Sequence, residues 1–162
     1  MKPSFLLVIP LLLIPQLTIA ATFDKAIWIP YWQKTAGAST TMQNLDAITQ
    51  ISPFAFELQY DGTIKDAAKI GEEPWVSLIA EARKKKIKIY PSILSYPQTQ
   101  AEKNAIYLIL AQKKKRDANI KAIVALVKKH KFDGIDIDYE NKVAEIKPYF
   151  SLFLTDLAAA LH

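Results

Sequence analysis

Hydrophobic and polar residues follow two alternating patterns along the chain. Short segments rich in β-branched and aromatic residues predict four strands, at 26–32, 54–58, 87–94 and 132–140. Apolar residues at helical spacing predict helices between and after them, at 42–48, 75–82, 120–127 and 143–161, with a further short helix at 105–112. Strands that alternate with amphipathic helices are typical of βαβ units, so the sequence predicts an α/β fold with a parallel sheet.

The first residues have a different pattern. Met1 and Lys2 precede an apolar run at 5–19, and two small residues, Ala20 and Ala21, follow it. This order predicts a signal peptide at 1–21 that is removed on export, and a mature domain at 22–162. A retained membrane anchor is the alternative, although two prolines interrupt the run and it is shorter than a span of about 20 residues. We therefore expect a secreted or cell-envelope protein.

Composition narrows the chemistry that the chain can carry. The sequence has no cysteine and two histidines, which excludes disulfides, thiolate zinc sites and cysteine nucleophiles. The net charge is +5, and basic residues form runs at 84–86, 113–116 and 128–129. We interpret these runs as solvated last turns of helices and expect no nucleic-acid partner, because they lack interleaved aromatic residues. Catalysis, if present, must use carboxylates.

Carboxylates are concentrated in the fourth predicted strand. Side chains alternate between the two faces of a strand, so Asp136, Asp138 and Glu140 share one face. Repulsion between like charges raises at least one pKa in such a cluster, which suits general acid catalysis. Two alternatives remain open at this point: a calcium or magnesium site, and a solvated acidic edge without a function.

The same segment resembles a known family. Residues 132–140, FDGIDIDYE, match the DGxDxDxE signature of glycoside hydrolase family 18, the chitinase-like (β/α)8 barrels, at every fixed position. The resemblance extends more weakly over 26–162. It implies hydrolysis of β-1,4-linked N-acetylglucosamine polymers, of chitin or peptidoglycan type, with retention of configuration and assistance from the substrate.

The resemblance also implies catalytic roles. Glu140 would protonate the glycosidic oxygen and later activate water. Asp138 would orient the 2-acetamido group of the sugar, and Asp136 would share a proton with Asp138. The family's reaction requires no metal and no organic cofactor.

Two further sets of residues complete the candidate site. Tyr31 resembles an aromatic residue that the family places near the cleavage point, although a core or rim position is an equal alternative. Trp32 and Tyr96 are further candidates for stacking on sugar rings. Asp133 and Gly134 also belong to the signature. Asp133 lies an odd number of residues before the predicted catalytic acids, so it falls on the other face of the strand and a structural role is predicted for it. Gly134 is expected to permit close packing.

Chain length limits how much of a barrel is present. A complete barrel needs about 250 residues, whereas we identify four βα units after the leader. We therefore expect a partial (β/α)8 barrel, truncated after its N-terminal part, with open edges through which copies self-associate if the chain exists alone. A non-catalytic carbohydrate-binding relative and an inactive fragment are the alternatives to an active hydrolase.

Overall fold

A computed structural model describes residues 23–162, so the predicted signal peptide at 1–21 lies outside the described residues. The strands are β1 (Ala26–Pro30), β2 (Gln50–Leu58), β3 (Ile64–Asp66), β4 (Lys88–Ile89), β5 (Ser92–Ser95) and β6 (Asp136–Tyr139). The main path through the sheet is β1-β2-β5-β6, and all its pairs are parallel. Strand β3 pairs antiparallel and β4 parallel with β2. The predicted α/β fold with a parallel sheet is confirmed.

Helices connect the parallel strands. They are α1 (Lys34–Gln43), α2 (Trp75–Lys84), α3 (Gln100–Ala111), α4 (Lys113–His130) and α5 (Lys147–Leu161), with 3₁₀ turns at Tyr31–Gln33, Leu45–Ala47 and Ala144–Ile146. Helix α2 shows why these segments are helical, because four apolar residues recur along one face and are buried in the core: Trp75, Leu78, Ile79 and Ala82.

The strand boundaries differ from the prediction at prolines. Strand β1 ends at Pro30 rather than at residue 32, because proline has no N–H to continue the ladder. Strand β2 begins at Gln50 and contains Pro53, which was expected to lie in a break before the strand. Proline's fixed φ is compatible with extended backbone, and the burial of neighbouring Ile51 and Ser52 keeps this segment in the sheet. The predicted strand at 87–94 is divided into β4 and β5 at Pro91.

Three helix predictions also need correction. In place of the helix predicted at 42–48, the structure has α1, which ends at Gln43, and a 3₁₀ turn at Leu45–Ala47. Helix α3 begins at Gln100, earlier than predicted, because Thr99 and Glu102 form a reciprocal capping box at its start. The basic run at 113–116 begins α4 and does not end a helix. Its last member, Arg116, is buried, and its Nη1 donates to the Leu110 carbonyl at 2.8 Å. The run therefore contains one structural cation and is not uniformly solvated.

The hydrophobic core lies between the sheet and the helices. In β6, the Tyr139 ring stacks on Phe153 of α5 with centroids 5.7 Å apart, so odd-numbered side chains of this strand face the helices. In β1, a Cβ on Gly37 of α1 would lie 2.6 Å from Ile29 Cγ2, which shows how closely that helix approaches the strand. The even-numbered residues of β6 consequently face the opposite side of the sheet.

The two ends of the sheet path have no neighbouring strand among residues 23–162. Strand β1 pairs on one side with β2, and β6 pairs on one side with β5. Such a sheet has the open edges expected of a partial barrel. In the same part of the chain, no helix is both long and apolar enough to cross a membrane.

Candidate active site

Two of the predicted catalytic carboxylates lie on one face of β6. Asp136 and Asp138 are both half-buried on the face that turns away from the helices. Ser92 of β5 stands directly opposite Asp136 in the parallel register, and its Oγ donates a hydrogen bond to Asp136 Oδ2 at 2.7 Å. Because Ser92 is fully buried, this hydroxyl is a fixed partner of the carboxylate rather than a mobile surface group.

Asp138 is the carboxylate whose protonation the site perturbs. Burial raises the pKa of Asp138, and the nearby charges of Glu140 and Asp136 raise this pKa further. Lys142 acts in the opposite direction but does not cancel the effect. The arrangement therefore favours the protonated form of one member of the acidic cluster, as the shared strand face predicted.

Glu140 follows the last residue of β6 at the carboxyl end of the sheet. Its side chain is exposed, while its backbone N–H donates to the Ser95 carbonyl at 2.8 Å. The next residue, Asn141, has a left-handed φ of 45°, and its Nδ2 donates to the Pro97 carbonyl at 2.6 Å. These bonds join the start of the loop after β6 to the end of β5 and to the loop that follows β5, so they hold the backbone that carries Glu140.

Lys142 is a cation that sequence reasoning did not identify. Its Nζ lies 4.7 Å from the centre of the Phe150 ring. Burial lowers the pKa of Lys142, while the charges of Asp138 and Glu140 raise it. Lys142 therefore provides the acidic cluster with a nearby positive charge.

The other two signature residues lie before β6. Asp133 Oδ1 bonds Lys88 Nζ at 2.7 Å, and Asp133 Oδ2 accepts from the Ile89 N–H at 3.0 Å, so this carboxylate joins the β6 approach to β4. A Cβ on Gly134 would lie 2.7 Å from two carbons of the Tyr90 ring. Both residues are located where the chain enters the strand, at the opposite end from Glu140.

The predicted sugar-stacking residues lie around the carboxyl ends of β1 and β5. Tyr31 and Trp32 form the turn after β1, with their rings edge to face at 5.1 Å, and Trp32 is 63% exposed. Tyr96 follows β5 and is 50% exposed. The Tyr31 hydroxyl donates to Glu57 Oε1 at 3.4 Å, and Glu57 and Tyr96 line the same cavity of about 300 Å³.

Sequence reasoning missed Ser92 and Glu57. Ser92 lies on the face of β5 that opposes the acids, and the alternation of residues 91–95 is the signal that would have found it. Glu57 has no such signal, because the register of β2 shifts between Phe54 and Phe56 and reverses the alternation.

Two further observations describe the surroundings of the acidic cluster and its capacity to hold a metal ion. A cavity of about 530 Å³ lies beside β6 and is lined by Ile137, Leu154 and Leu157 among others. Ile137 is on the helix-facing side of β6, and Asp136, Asp138 and Glu140 do not line this cavity. Between residues 23 and 162, no group of three or more metal-ligating side chains is close enough to hold an ion.

Parallel βα units with a carboxylate cluster at the carboxyl end of one strand are the arrangement in which (β/α)8 barrels carry their active sites. The chain belongs to glycosyl hydrolases family 18, whose family model matches residues 27–162. This confirms the resemblance carried by the DGxDxDxE segment.

Solved structures show the same fold. A class V chitinase from Pseudomonas fluorescens Pf-5 superposes with a TM-score of 0.73 at 20% identity, covering 85% of this chain and 41% of the chitinase. The spore cortex-lytic enzyme SleL of Bacillus cereus gives 0.72 at 17% identity, covering 86% and 32%. The family 18 chitinase of Cycas revoluta in complex with (GlcNAc)3 gives 0.68 at 17% identity, covering 85% and 40%.

The chain thus spans less than half of each of these structures, which confirms the predicted partial barrel. A search of curated protein sequences finds no significant match.

Proposed function

We propose that the protein is an exported glycoside hydrolase that cleaves β-1,4-linked N-acetylglucosamine polymers of the chitin or peptidoglycan type. The observation that carries this proposal is the order of Asp136, Asp138 and Glu140 along one strand end, with a raised pKa at Asp138. Membership of family 18, and neighbours that include chitinases and a spore cortex-lytic enzyme, support the substrate class. The leader pattern at 1–21 supports export.

The first step of the proposed reaction breaks the glycosidic bond. Glu140 gives its proton to the glycosidic oxygen, and the leaving sugar departs as an alcohol. The carbonyl oxygen of the substrate's own 2-acetamido group attacks the anomeric carbon from the opposite side and forms an oxazolinium ion. Asp138 orients the acetamido group and stabilises the charge that develops on its nitrogen.

The second step restores the acetamido group. The Glu140 carboxylate takes a proton from a water molecule, and the resulting nucleophile attacks the anomeric carbon. The bond between that carbon and the acetamido oxygen breaks, and the configuration is retained after two inversions. Asp136, held by the buried Ser92 hydroxyl, keeps Asp138 in position and tunes its protonation.

A carbohydrate-binding role without turnover is the second candidate. The length of the chain favours this candidate, because the chain spans only 32% to 41% of the solved structures named above. The remaining part of a barrel contributes the other half of the cleft. The test therefore needs the longest natural form of the protein that carries residues 22–162.

The experiment compares Glu140→Gln with the unchanged protein on chitooligosaccharides and on isolated peptidoglycan. We expect the substitution to lower kcat at least about a hundredfold, because it removes the general acid and base. Glu145→Gln is the matched control, since Glu145 is an exposed glutamate in the turn after β6 and should leave kcat unchanged. NMR of the first product should show retained configuration.

Three results would contradict the proposal. Hydrolysis that survives in Glu140→Gln would remove Glu140 from the mechanism. An inverted product would exclude assistance from the acetamido group. Saturable sugar binding without turnover by the unchanged protein would establish the second candidate instead.

A further inference from the structure

Cationic side chains gather at the end of the sheet where the parallel strands begin. We call this surface the basic edge. It consists of Lys88 at the start of β4 and of lysines in the segments that lead into β1, β4 and β6: Lys25, Lys84, Lys85, Lys86, Lys128, Lys129 and Lys131. All of them are exposed. The acidic cluster lies at the other end of the same strands.

Direct contacts show that these residues form one surface. Arg83 Nη2 at the end of α2 donates to the carbonyls of His130 and Lys131 at 2.6 and 3.2 Å, which joins the end of α2 to the end of α4. The Lys88 N–H donates to the Thr49 carbonyl at 2.9 Å, and the Thr49 N–H donates to the Lys25 carbonyl at 2.9 Å. The starts of β1, β2, β4 and β6 are therefore connected.

Carboxylates neutralise only part of the basic edge. Lys84 pairs with Glu81 at 2.6 Å, Lys85 with Asp46 at 2.5 Å, and Lys88 with Asp133 at 2.7 Å. Within the part of the chain that the structure describes, the remaining five members form no ion pair; they are Lys25, Lys86, Lys128, Lys129 and Lys131. This end of the molecule consequently has excess positive charge facing solvent.

Helix stability explains some of these lysines but not all of them. Lys84, Lys128 and Lys129 lie in last helical turns, where a cation interacts favourably with the helix dipole. Lys86 and Lys131 follow the helix ends at φ values of 60° and 54°, in the left-handed region that favours glycine. Lysine at these two positions adds a positive charge where the backbone conformation alone would favour glycine.

The chain enters the fold at this same edge. Phe23, 78% exposed, and Lys25 directly precede β1, and the apolar run at 5–19 lies further upstream in the sequence. In the form of the chain that keeps the leader, which is the retained-anchor alternative, a membrane that holds this run is adjacent to the unpaired lysines. The carboxyl ends of the strands, with Glu140, point away from it.

We propose that the basic edge docks on the anionic phospholipid surface of a membrane and so orients the acidic end of the sheet away from the bilayer. Each lysine close to such a surface strengthens binding by a factor of about five, since anionic headgroups attract single cations with about 1 kcal/mol. The attraction weakens as salt is raised, because it acts between exposed charges. It does not depend on hydrolysis.

The test measures sedimentation of a chain that spans residues 1–162 with phospholipid vesicles. Neutral vesicles contain phosphatidylcholine alone, and anionic vesicles contain about one third phosphatidylglycerol. Insertion of the apolar leader contributes to both, so the ratio of the two partition coefficients reports the basic edge. We expect the triple variant Lys86→Gln, Lys128→Gln and Lys129→Gln to lower this ratio about a hundredfold.

The matched control is Lys113→Gln, Lys114→Gln and Lys115→Gln, which removes the same charge from the start of α4. That helix start lies at the other end of the sheet, where Asn119 of α4 approaches the Gly62 carbonyl in the turn after β2. An unchanged ratio in the control supports the proposal. Equal losses in both variants, or no preference of the unchanged chain for anionic vesicles, would overturn it. Preferential binding to isolated wall polymer would assign the edge to that partner instead.

Discussion

The contact between Gly134 and Tyr90 allows a quantitative test of how β6 is positioned. Gly134 lies in the signature just before β6, and a Cβ at this position would approach two Tyr90 ring carbons to 2.7 Å. Ordinary van der Waals contact begins near 3.4 Å, so Gly134→Ala leaves the methyl group about 0.7 Å too close. Gly134 does not have a left-handed φ, and the cost is therefore one of space alone.

The expected magnitude follows from overpacking. Forcing an extra methyl group into a packed site typically costs about 1–3 kcal/mol, and Tyr90 is only half-buried, so its ring can move partly towards solvent. We therefore expect Gly134→Ala to lower the free energy of unfolding by about 1–2 kcal/mol. Gly71→Ala is the matched control, because a Cβ on Gly71 meets no atom within 4 Å. It should be neutral or stabilising by up to about 1 kcal/mol.

Urea denaturation of four proteins completes a double-mutant cycle: unchanged, Gly134→Ala, Tyr90→Ala and the double variant. If the ring causes the cost, Gly134→Ala should cost less than about 0.5 kcal/mol in the Tyr90→Ala background. An equal cost in both backgrounds would refute the steric explanation. So would a Gly71→Ala variant that is destabilised as much as Gly134→Ala.

Two further predictions concern charged side chains. The pKa of Asp138 is raised above its ordinary value of 3.8, so the folded protein favours the protonated carboxyl group. The contribution of this group to the free energy of unfolding is fully present below pH 3.8 and is lost as the pH rises through the raised pKa. Asp138→Asn should therefore be more stable than the unchanged protein at pH 7, with a difference that shrinks towards pH 3 in pH-dependent urea melts; a difference that grows instead would contradict the sign. Arg116→Ala should lower the free energy of unfolding by about 1.5–3 kcal/mol, because it removes a charged donor from the Leu110 carbonyl. Asp156→Ala should cost less than about 1 kcal/mol, since Asp156 is 39% exposed and lies 3.4 Å from Arg116; a larger loss in denaturant melts would show that the ion pair dominates.

The element types could be predicted from the sequence because they depend on local periodicity. The apolar stripe of α2 and the β-branched segments of β1 and β6 each have one clear period. Boundaries were less accurate because they depend on single residues acting in context. Pro53 remains within β2 because neighbouring residues are buried, and Thr99 starts α3 earlier than the apolar pattern does.

The acidic part of the site was also visible in the sequence. Alternation in a strand is a local property, so it placed Asp136 and Asp138 on one face before any tertiary contact was known. Glu57 could not be placed in this way. The bulge in β2 turns Phe56 towards Phe132, with ring centroids 6.3 Å apart, and turns Glu57 towards Tyr31.

Strand register is the property that links fold to chemistry in this site. Ser92 and Asp136 meet because β5 and β6 pair at that position, and a shift of one residue would place Ile93 opposite Asp136. The carboxylate would then lose its buried hydroxyl donor. The division between β4 and β5 at Pro91, and the bond from Asp133 to the Ile89 N–H, lie immediately before this pair. We infer that Asp133, by joining the chain that enters β6 to β4, helps to fix the register that sets Asp136 opposite Ser92.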